Sequence, residues 1–262
     1  MRKTTMDIYK AMFPSLLIYL LLVAFFTQIF KVMGLGMENL VTMGSNPAMP
    51  MAAPQFQFTA MSGVTLVVYG IFYIVSGLVG YGIVLMIYRA ARYDTDVSFV
   101  DAFYFFNRKA ASATGTYIIE KILMGILFLL LVVPGILFSL AMVPLGAVMG
   151  IEQIRGRSGA IAPIKDSWQM TKGHKGMIFG RMVIVIIVIA VISGGVGVLS
   201  MTAGLSKTAM LVMQNLLTVV IGLITYVAEV DIIRELVERG AFDAIDRPDD
   251  EEEDFSIEGG AM

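Results

Sequence analysis

Long apolar segments, separated by short polar ones, occupy most of the chain. Six of them approach or exceed the length of about 20 helical residues that crosses a bilayer's hydrocarbon core. Transmembrane β-strands would instead alternate apolar and polar residues in segments of about ten. The pattern therefore predicts an all-α polytopic membrane protein with about six transmembrane helices, at 14–32, 63–88, 114–133, 136–152, 177–200 and 209–231.

The stretch 114–152 allows two arrangements, because it is long for one transmembrane helix and short for two. Basic residues flank both of its ends, which places the two ends on the same side of the membrane. The chain must then turn back within the stretch, and Pro134-Gly135 is the predicted turn. A re-entrant hairpin that does not fully cross is the alternative, and it leaves the other helices unchanged.

Charge distribution predicts the orientation. Most of the 19 Lys and Arg residues lie before the first apolar segment, between the second and third, between the fourth and fifth, and after the sixth. Lys31 and Lys207 lie on the opposite side. Since basic residues stay cytoplasmic, both termini are predicted to be cytoplasmic. The first apolar run is followed by Lys31 without a small-residue cleavage site, so we expect a retained helix in a multi-pass protein of the cytoplasmic (inner) membrane.

The stretch 161–173 contains the only Trp of the chain and is followed by its only His. Ser158 or Gly159 can open a short helix with Pro163 in its first turn, and Gly173 can end it. One predicted face is largely apolar and the other is polar, and Trp is typical of headgroup boundaries. We therefore expect a cytoplasmic interfacial amphipathic helix, with Ile161, Ile164, Trp168 and Thr171 on its membrane face.

A second aromatic stretch, 97–109, has a similar place between the second and third helices. It follows a predicted cap at 94–96 and ends in basic residues. It is the second predicted cytoplasmic interfacial helix. The order of transmembrane helix, amphipathic helix and transmembrane helix thus occurs twice, which indicates a weak parallel repeat.

The chain divides into two predicted regions. Residues 1–245 form the six-helix transmembrane domain, which includes a long external loop at 34–62. Residues 246–262 contain the run DDEEED. Such a block of like charges predicts a disordered acidic cytoplasmic tail.

The segment APIKDSWQMTKG, residues 162–173, resembles the S-W-x-L-T-K-G signature of a bacterial family. Its members are uncharacterised multispan proteins related to the membrane domain fused to some glycerophosphodiester phosphodiesterases. Met170 replaces the leucine of the signature. The resemblance implies a six-helix fold without an assigned reaction, because the phosphodiesterase activity belongs to a separate soluble barrel that we do not expect here. The matching residues are Ser167, Trp168, Thr171, Lys172 and Gly173.

Candidate chemistry is sparse. The chain has no Cys and a single His, His174, and it contains none of the common hydrolase, nucleotide-binding or zinc motifs. We expect no enzymatic activity, no cofactor and no metal, although the methionines around the external loop could suit Cu(I). Glu120 and Lys121 lie within the third helix, where charges are functional by default. We expect a structural ion pair, with Glu229 or Asp231 as the partner of Lys121, before an ion or proton pathway.

Two functions remain open at this point. The first is a non-enzymatic integral membrane protein with an envelope-related accessory or scaffolding role. The alternative is a small transporter or lipid-handling protein with a cavity between the two repeat units. Membrane lipids, including anionic headgroups at the cytoplasmic face, are the expected partners. A second copy or another membrane protein is a further expected partner, and no nucleic acid is expected.

Overall fold

The computed structural model describes residues 4–32, 60–95, 98–106, 110–156, 159–202 and 206–246. Helices make up nearly all of these ranges, and none of them contains a β-strand. Most of the predicted external loop and nearly all of the predicted acidic tail lie outside the described residues. In chain order the elements are α1 (Thr5–Val32), α2 (Ala60–Tyr93), the 3₁₀ helix η1 (Phe99–Phe106), α3 (Ala110–Leu130), α4 (Val132–Met142), α5 (Leu145–Ile154), α6 (Ala162–Met170), α7 (Lys175–Thr202), α8 (Lys207–Glu238) and α9 (Asp243–Asp246).

Five of these helices are long and apolar enough to cross a membrane: α1, α2, α3, α7 and α8. The pair α4–α5 meets the same criterion as one segment, although it is bent by 47°. The predicted all-α polytopic fold is therefore confirmed. Several helices extend past their predicted limits. Helix α1 already begins at Thr5 with Pro14 inside it, and α3 begins at Ala110. Helix α2 continues to Tyr93 and α8 to Glu238.

The predicted turn at Pro134-Gly135 is wrong. The chain breaks one turn earlier, at Leu131, whose backbone is extended with φ −157° and ψ 127°. Pro134 lies in the first turn of α4, where its missing N–H removes no hydrogen bond. Gly135 serves packing instead, because a Cβ there would come within 2.7 Å of the Phe128 ring of α3.

The fourth apolar segment is a broken helix. Its halves contain 11 and 10 residues. Each half spans about 16 Å, half the thickness of the hydrocarbon core. The break falls at Val143 and Pro144, which separate the two helices. Because Pro cannot donate a backbone hydrogen bond, the carbonyl groups just before the break need other donors.

Helix α2 is the centre of the bundle and packs against α1, η1, α3, α5 and α8. Almost every residue from Leu78 to Ala90 is buried, which is typical of a helix that is surrounded by others. Gly146 and Gly150 bring α5 close to α2, since a Cβ at either position would lie within 2.5 Å of α2 atoms. This small-residue pair therefore serves packing within one protomer.

Helices α1 and α8 pack antiparallel along most of their length. Gly222 of α8 receives the Leu20 side chain, and further along Gln28 Nε2 donates to Asn215 Oδ1 at 2.6 Å. At the opposite end, Arg234 Nη1 donates to Thr5 Oγ1 at 2.9 Å. The start of α1 and the end of α8 therefore share one end of the bundle.

Helix α7 lies at the edge of the bundle, where it packs against α8 and α4. Its span has the highest mean hydropathy of the five, 3.0, and the smallest buried share. A Cβ at Gly194, Gly195 or Gly197 would meet no atom within 4 Å. Most of its surface is therefore left for lipid.

Candidate functional site

The short helix α6 carries the Ser-Trp motif and is anchored by its polar residues. Ser167 is fully buried, and its hydroxyl donates to the Ala141 carbonyl at 2.6 Å. That carbonyl lies just before the break between α4 and α5. Thr171 is also fully buried, and its hydroxyl donates to the Ser167 carbonyl at 2.9 Å. The Ser167 hydroxyl thus supplies a donor to the broken helix, whereas the Thr171 hydroxyl bonds to the backbone of α6 itself.

The predicted membrane face of α6 is only partly correct. Ile164 packs inward with Pro163, Ser167 and Met170, whereas Ile161 is largely exposed. The helix begins at Ala162 with Ile161 as its cap residue, so Gly159 does not open it. Ser158 lies outside the described residues. Pro163 does occupy the first turn, as predicted.

Trp168 is at the rim of the protein, with 39% of its surface exposed. The Lys175 Nζ lies 3.1 Å from the centre of its ring, in a cation–π contact. On the other side, the Phe138 ring of α4 lies 6.2 Å away, centroid to centroid. Trp168 therefore connects α6 to α4 and to the start of α7 while keeping part of its ring outside the protein.

The last two motif residues lie in the turn that follows α6, which ends at Met170 with Thr171 as its cap residue. Lys172 is exposed, and Gly173 has φ +95°, a conformation that glycine adopts without strain. The next residue is His174. Its Nδ1 atom is buried and has no hydrogen-bond partner among the described residues. A general base would need an orienting partner at this atom, and the neighbouring structure provides none.

The second predicted interfacial helix is the 3₁₀ helix η1. The Ser98 backbone N–H donates to Asp101 Oδ2 at 2.9 Å, and the Asp101 N–H donates to the Ser98 carbonyl. The start of η1 therefore has its cap at Ser98 and Asp101. Of the predicted cap at 94–96, Asp94 has φ +54° and Asp96 lies outside the described residues. Ala102 and Phe105 are buried against the bundle. One side of η1 thus packs on protein, whereas the side chains of Val100, Phe103 and Phe106 are exposed, as an interfacial helix requires.

The predicted partners of the intramembrane charges are wrong. Lys121 does not reach α8, because its Nζ pairs with the neighbouring Glu120 at 2.9 Å. The Glu120 side chain is 3% exposed and the Lys121 side chain is 47% exposed. The long Lys side chain bends back along the helix, so adjacent residues can pair. Tyr81 of α2 donates a second hydrogen bond to Glu120, at 3.1 Å.

Tyrosine side chains from three neighbouring helices, α1, α3 and α8, pack against the middle of α2. Tyr19 of α1 donates to the Ser76 carbonyl at 3.0 Å. A Cβ at Gly80 would lie 3.8 Å from the Tyr19 hydroxyl and 3.9 Å from that of Tyr226. Tyr117 packs directly on Gly77, which has room for it only as glycine. A signal in the sequence that could have located this cluster is the pair of small residues Ser76 and Gly80, four residues apart on one face of α2.

Charged side chains are concentrated at the end of the bundle that holds the start of α1 and the end of α8. Arg181 of α7 pairs with Asp231 of α8 at 2.8 Å and also contacts Glu235. Asp231, a predicted partner of Lys121, is thus engaged elsewhere. Among the described residues, this terminal network also includes the pairs Arg234–Glu238, Arg239–Glu235 and, from α2 to α9, Arg92–Asp243.

A groove between α7 and α8 opens beside the terminal network. Its volume is ≈ 480 Å³, within the range of small-molecule sites. Branched and small apolar side chains form most of its wall, and a polar end closes it. The apolar residues are Ile184, Val185, Val188, Ile224, Val227 and Ala228, and the polar ones are Thr5, Arg181 and Asp231.

These features define the class of the protein. Apolar helices long enough to cross the bilayer, with several of their charges paired or gathered at one end of the bundle, are those of a polytopic helical integral membrane protein. Within the described ranges, no three acidic or His side chains come together as metal ligands would. The chain matches no protein-family model, and no curated protein or solved structure is significantly similar to it.

Proposed function

We propose that the protein is a non-enzymatic component of the bacterial cytoplasmic membrane with an accessory or scaffolding role in the envelope. Both termini face the cytoplasm in this proposal, and the membrane-exposed rim of Trp168 rests on the inner leaflet. The likeness of the Ser-Trp motif to the phosphodiesterase-associated membrane family agrees with a role that has no reaction of its own.

The pairing of Glu120 carries this proposal. An ion or proton pathway needs an intramembrane charge that faces a wet cavity. Glu120 is instead nearly inaccessible and is held by Lys121 and Tyr81, both within 3.1 Å. Such a closed pair supports the position of α3 against α2, which is a structural task.

Substitution of the pair tests the proposal. Lys121→Met leaves the Glu120 carboxylate buried with one donor, and breaking a buried pair costs about 3–5 kcal/mol. Because Lys121 is half exposed, we expect a smaller loss of thermal stability in this variant. Glu120→Gln combined with Lys121→Met removes both charges and should recover most of the loss. A thermal unfolding series in detergent measures both effects.

Function is then measured with the double variant in a strain that lacks the gene. Growth under osmotic shock and detergent stress should be restored as well as by the unchanged protein, when both are present at equal levels. Ser139→Ala, whose hydroxyl bonds only within α4, is the control. A double variant that folds normally but fails to restore growth would favour the transporter hypothesis.

Lipid handling is the second candidate function. The groove between α7 and α8 favours it, because its apolar wall can hold an acyl chain and its polar end can hold a headgroup. Its position between those two helices differs from the cavity between repeat units that the sequence suggested.

A further inference from the structure

We propose that the groove between α7 and α8 binds a phospholipid with a primary-ammonium headgroup, of the phosphatidylethanolamine type. An acyl chain lies along the apolar wall, and the headgroup contacts Arg181 and Asp231. This inference does not depend on the scaffolding role, because a bound lipid is compatible with either function.

The depth of the polar end fits a lipid headgroup. Arg181 lies six residues inside the start of α7, about 9 Å along the helix axis. Helix α7 contains 28 residues. It is therefore about 42 Å long and exceeds the hydrocarbon core by about 6 Å at each end. Arg181 and its partner Asp231 thus lie close to the boundary between acyl chains and headgroups.

The free hydrogen-bonding positions favour a cationic donor. Asp231 Oδ1 accepts from Thr5 at 3.2 Å, and Oδ2 accepts from Arg181 at 2.8 Å. A carboxylate has about four acceptor positions, so about two remain. The Asp231 side chain is 42% exposed. A primary ammonium group, with three N–H donors, can use these acceptors.

Arg181 suits the phosphate of the same headgroup. Its contacts with Asp231, Glu235 and Met177 use at most four of its five N–H groups. The remaining N–H can donate to a phosphate oxygen. Two carboxylates, Asp231 and Glu235, already face this guanidinium, so its charge is balanced and a headgroup with net negative charge finds no excess positive charge here. A zwitterionic headgroup matches the mixed charge.

This charge pattern separates the three common headgroups. A trimethylammonium group, as in phosphatidylcholine, has no N–H to donate to Asp231. Phosphatidylglycerol adds a negative charge without a compensating ammonium. We therefore expect phosphatidylethanolamine to bind more tightly than either of the others.

The test is native mass spectrometry of the delipidated full chain in detergent. Dioleoyl phosphatidylethanolamine, phosphatidylcholine and phosphatidylglycerol are added separately over the same concentration series. We expect half-occupancy by phosphatidylethanolamine at a concentration about tenfold lower than for the other two. Equal retention of all three lipids, or preference for phosphatidylglycerol or phosphatidylcholine, would overturn the proposal.

Two isoleucines of α7 provide matched variants. Ile184 lines the groove and Ile186 points to the other side of the helix, yet both are 63% exposed. Ile184→Trp fills the groove and should abolish the preference for phosphatidylethanolamine. Ile186→Trp should leave that preference unchanged. Asp231→Asn should reduce it, with folding checked by circular dichroism. Preference that survives Ile184→Trp, or that Ile186→Trp removes equally, would contradict this site.

Discussion

Ser167 shows how a single hydroxyl can connect two parts of the bundle. Its partner, the Ala141 carbonyl, belongs to the last turn of α4, which Pro144 cannot continue as a regular helix. A buried carbonyl without a donor is costly. The motif Ser therefore contributes to the stability of a bent helix 26 residues earlier in the chain.

Replacement of this hydroxyl tests the connection. We expect Ser167→Ala to lower the free energy of unfolding by about 1–3 kcal/mol, because it leaves the Ala141 carbonyl unsatisfied. The measurement is the thermal unfolding midpoint in detergent.

Ser139→Ala is the matched control, since the Ser139 hydroxyl donates to Gly135 within its own helix at 2.9 Å. Its loss leaves the α4 backbone hydrogen bonds in place and should change stability little. If Ser139→Ala lowers the unfolding midpoint as much as Ser167→Ala does, the hydrogen bond from α6 to α4 does not contribute specifically to stability.

Residue chemistry could be predicted from the sequence only in part. The motif residues were found, and Pro163 lies in the first turn of α6 as expected. Gly173 was expected to end the helix but lies two residues beyond its cap residue Thr171. Trp168 is exposed as an interfacial residue would be. The sequence could not predict that Ser167 and Thr171 face inward. The partner of Ser167 is the Ala141 carbonyl in a distant part of the chain, and Thr171 satisfies its hydroxyl on the backbone of α6, which lets it be buried.

At the scale of elements, the close approach of η1 to α2 depends on one glycine. A Cβ at Gly82 would lie 2.0 Å from the Ala102 carbonyl oxygen, a backbone atom that cannot rotate away. The 3₁₀ helix can therefore lie against α2 only where α2 has no side chain.

A single methyl group tests this contact. Gly82→Ala must displace η1 or α2, and overpacking of this kind costs about 1–3 kcal/mol. The expected result is a lower unfolding midpoint and faster proteolysis within 98–106.

Gly70→Ala provides the comparison on the same helix, because a Cβ at Gly70 meets nothing within 4 Å. Alanine favours helix by up to about 1 kcal/mol, so this change should be neutral or stabilising. Equal destabilisation by both substitutions would point to a general effect of alanine in α2 and against the contact.

The boundaries of the helices, like the residue chemistry, could be predicted from the sequence only in part. Apolar length predicted the transmembrane helices, since the bilayer requires it. The break at Leu131 was missed because Pro134 and Gly135 look like a turn, whereas in the folded protein they occupy a first helical turn and a packing contact. Neither residue type specifies which of these tasks it performs.

For the whole molecule, the predicted topology places η1 on the cytoplasmic side and the start of α8 on the outside. The chain has no Cys, so single cysteines can be introduced without background. We expect Ser206→Cys to react with a membrane-impermeant maleimide added to intact cells, and Ser98→Cys to react only after lysis. Both positions are exposed in the structure.

Permeabilised cells are the control for reactivity, since both cysteines should label there. Labelling of Ser98→Cys in intact cells would contradict the predicted orientation. Protection of both positions would contradict the separation of η1 from the start of α8 by the membrane.

The sequence by itself determined the fold class, since the apolar segments are long enough to cross hydrocarbon and helices satisfy their own backbone there. Only the tertiary structure decided the partners of the polar groups: Glu120 with Lys121 and Tyr81, Arg181 with Asp231, and Ser167 with Ala141. The physical reason is that transfer into a bilayer depends on the composition of each segment. A hydrogen bond depends on which atoms come within about 3 Å after the helices pack.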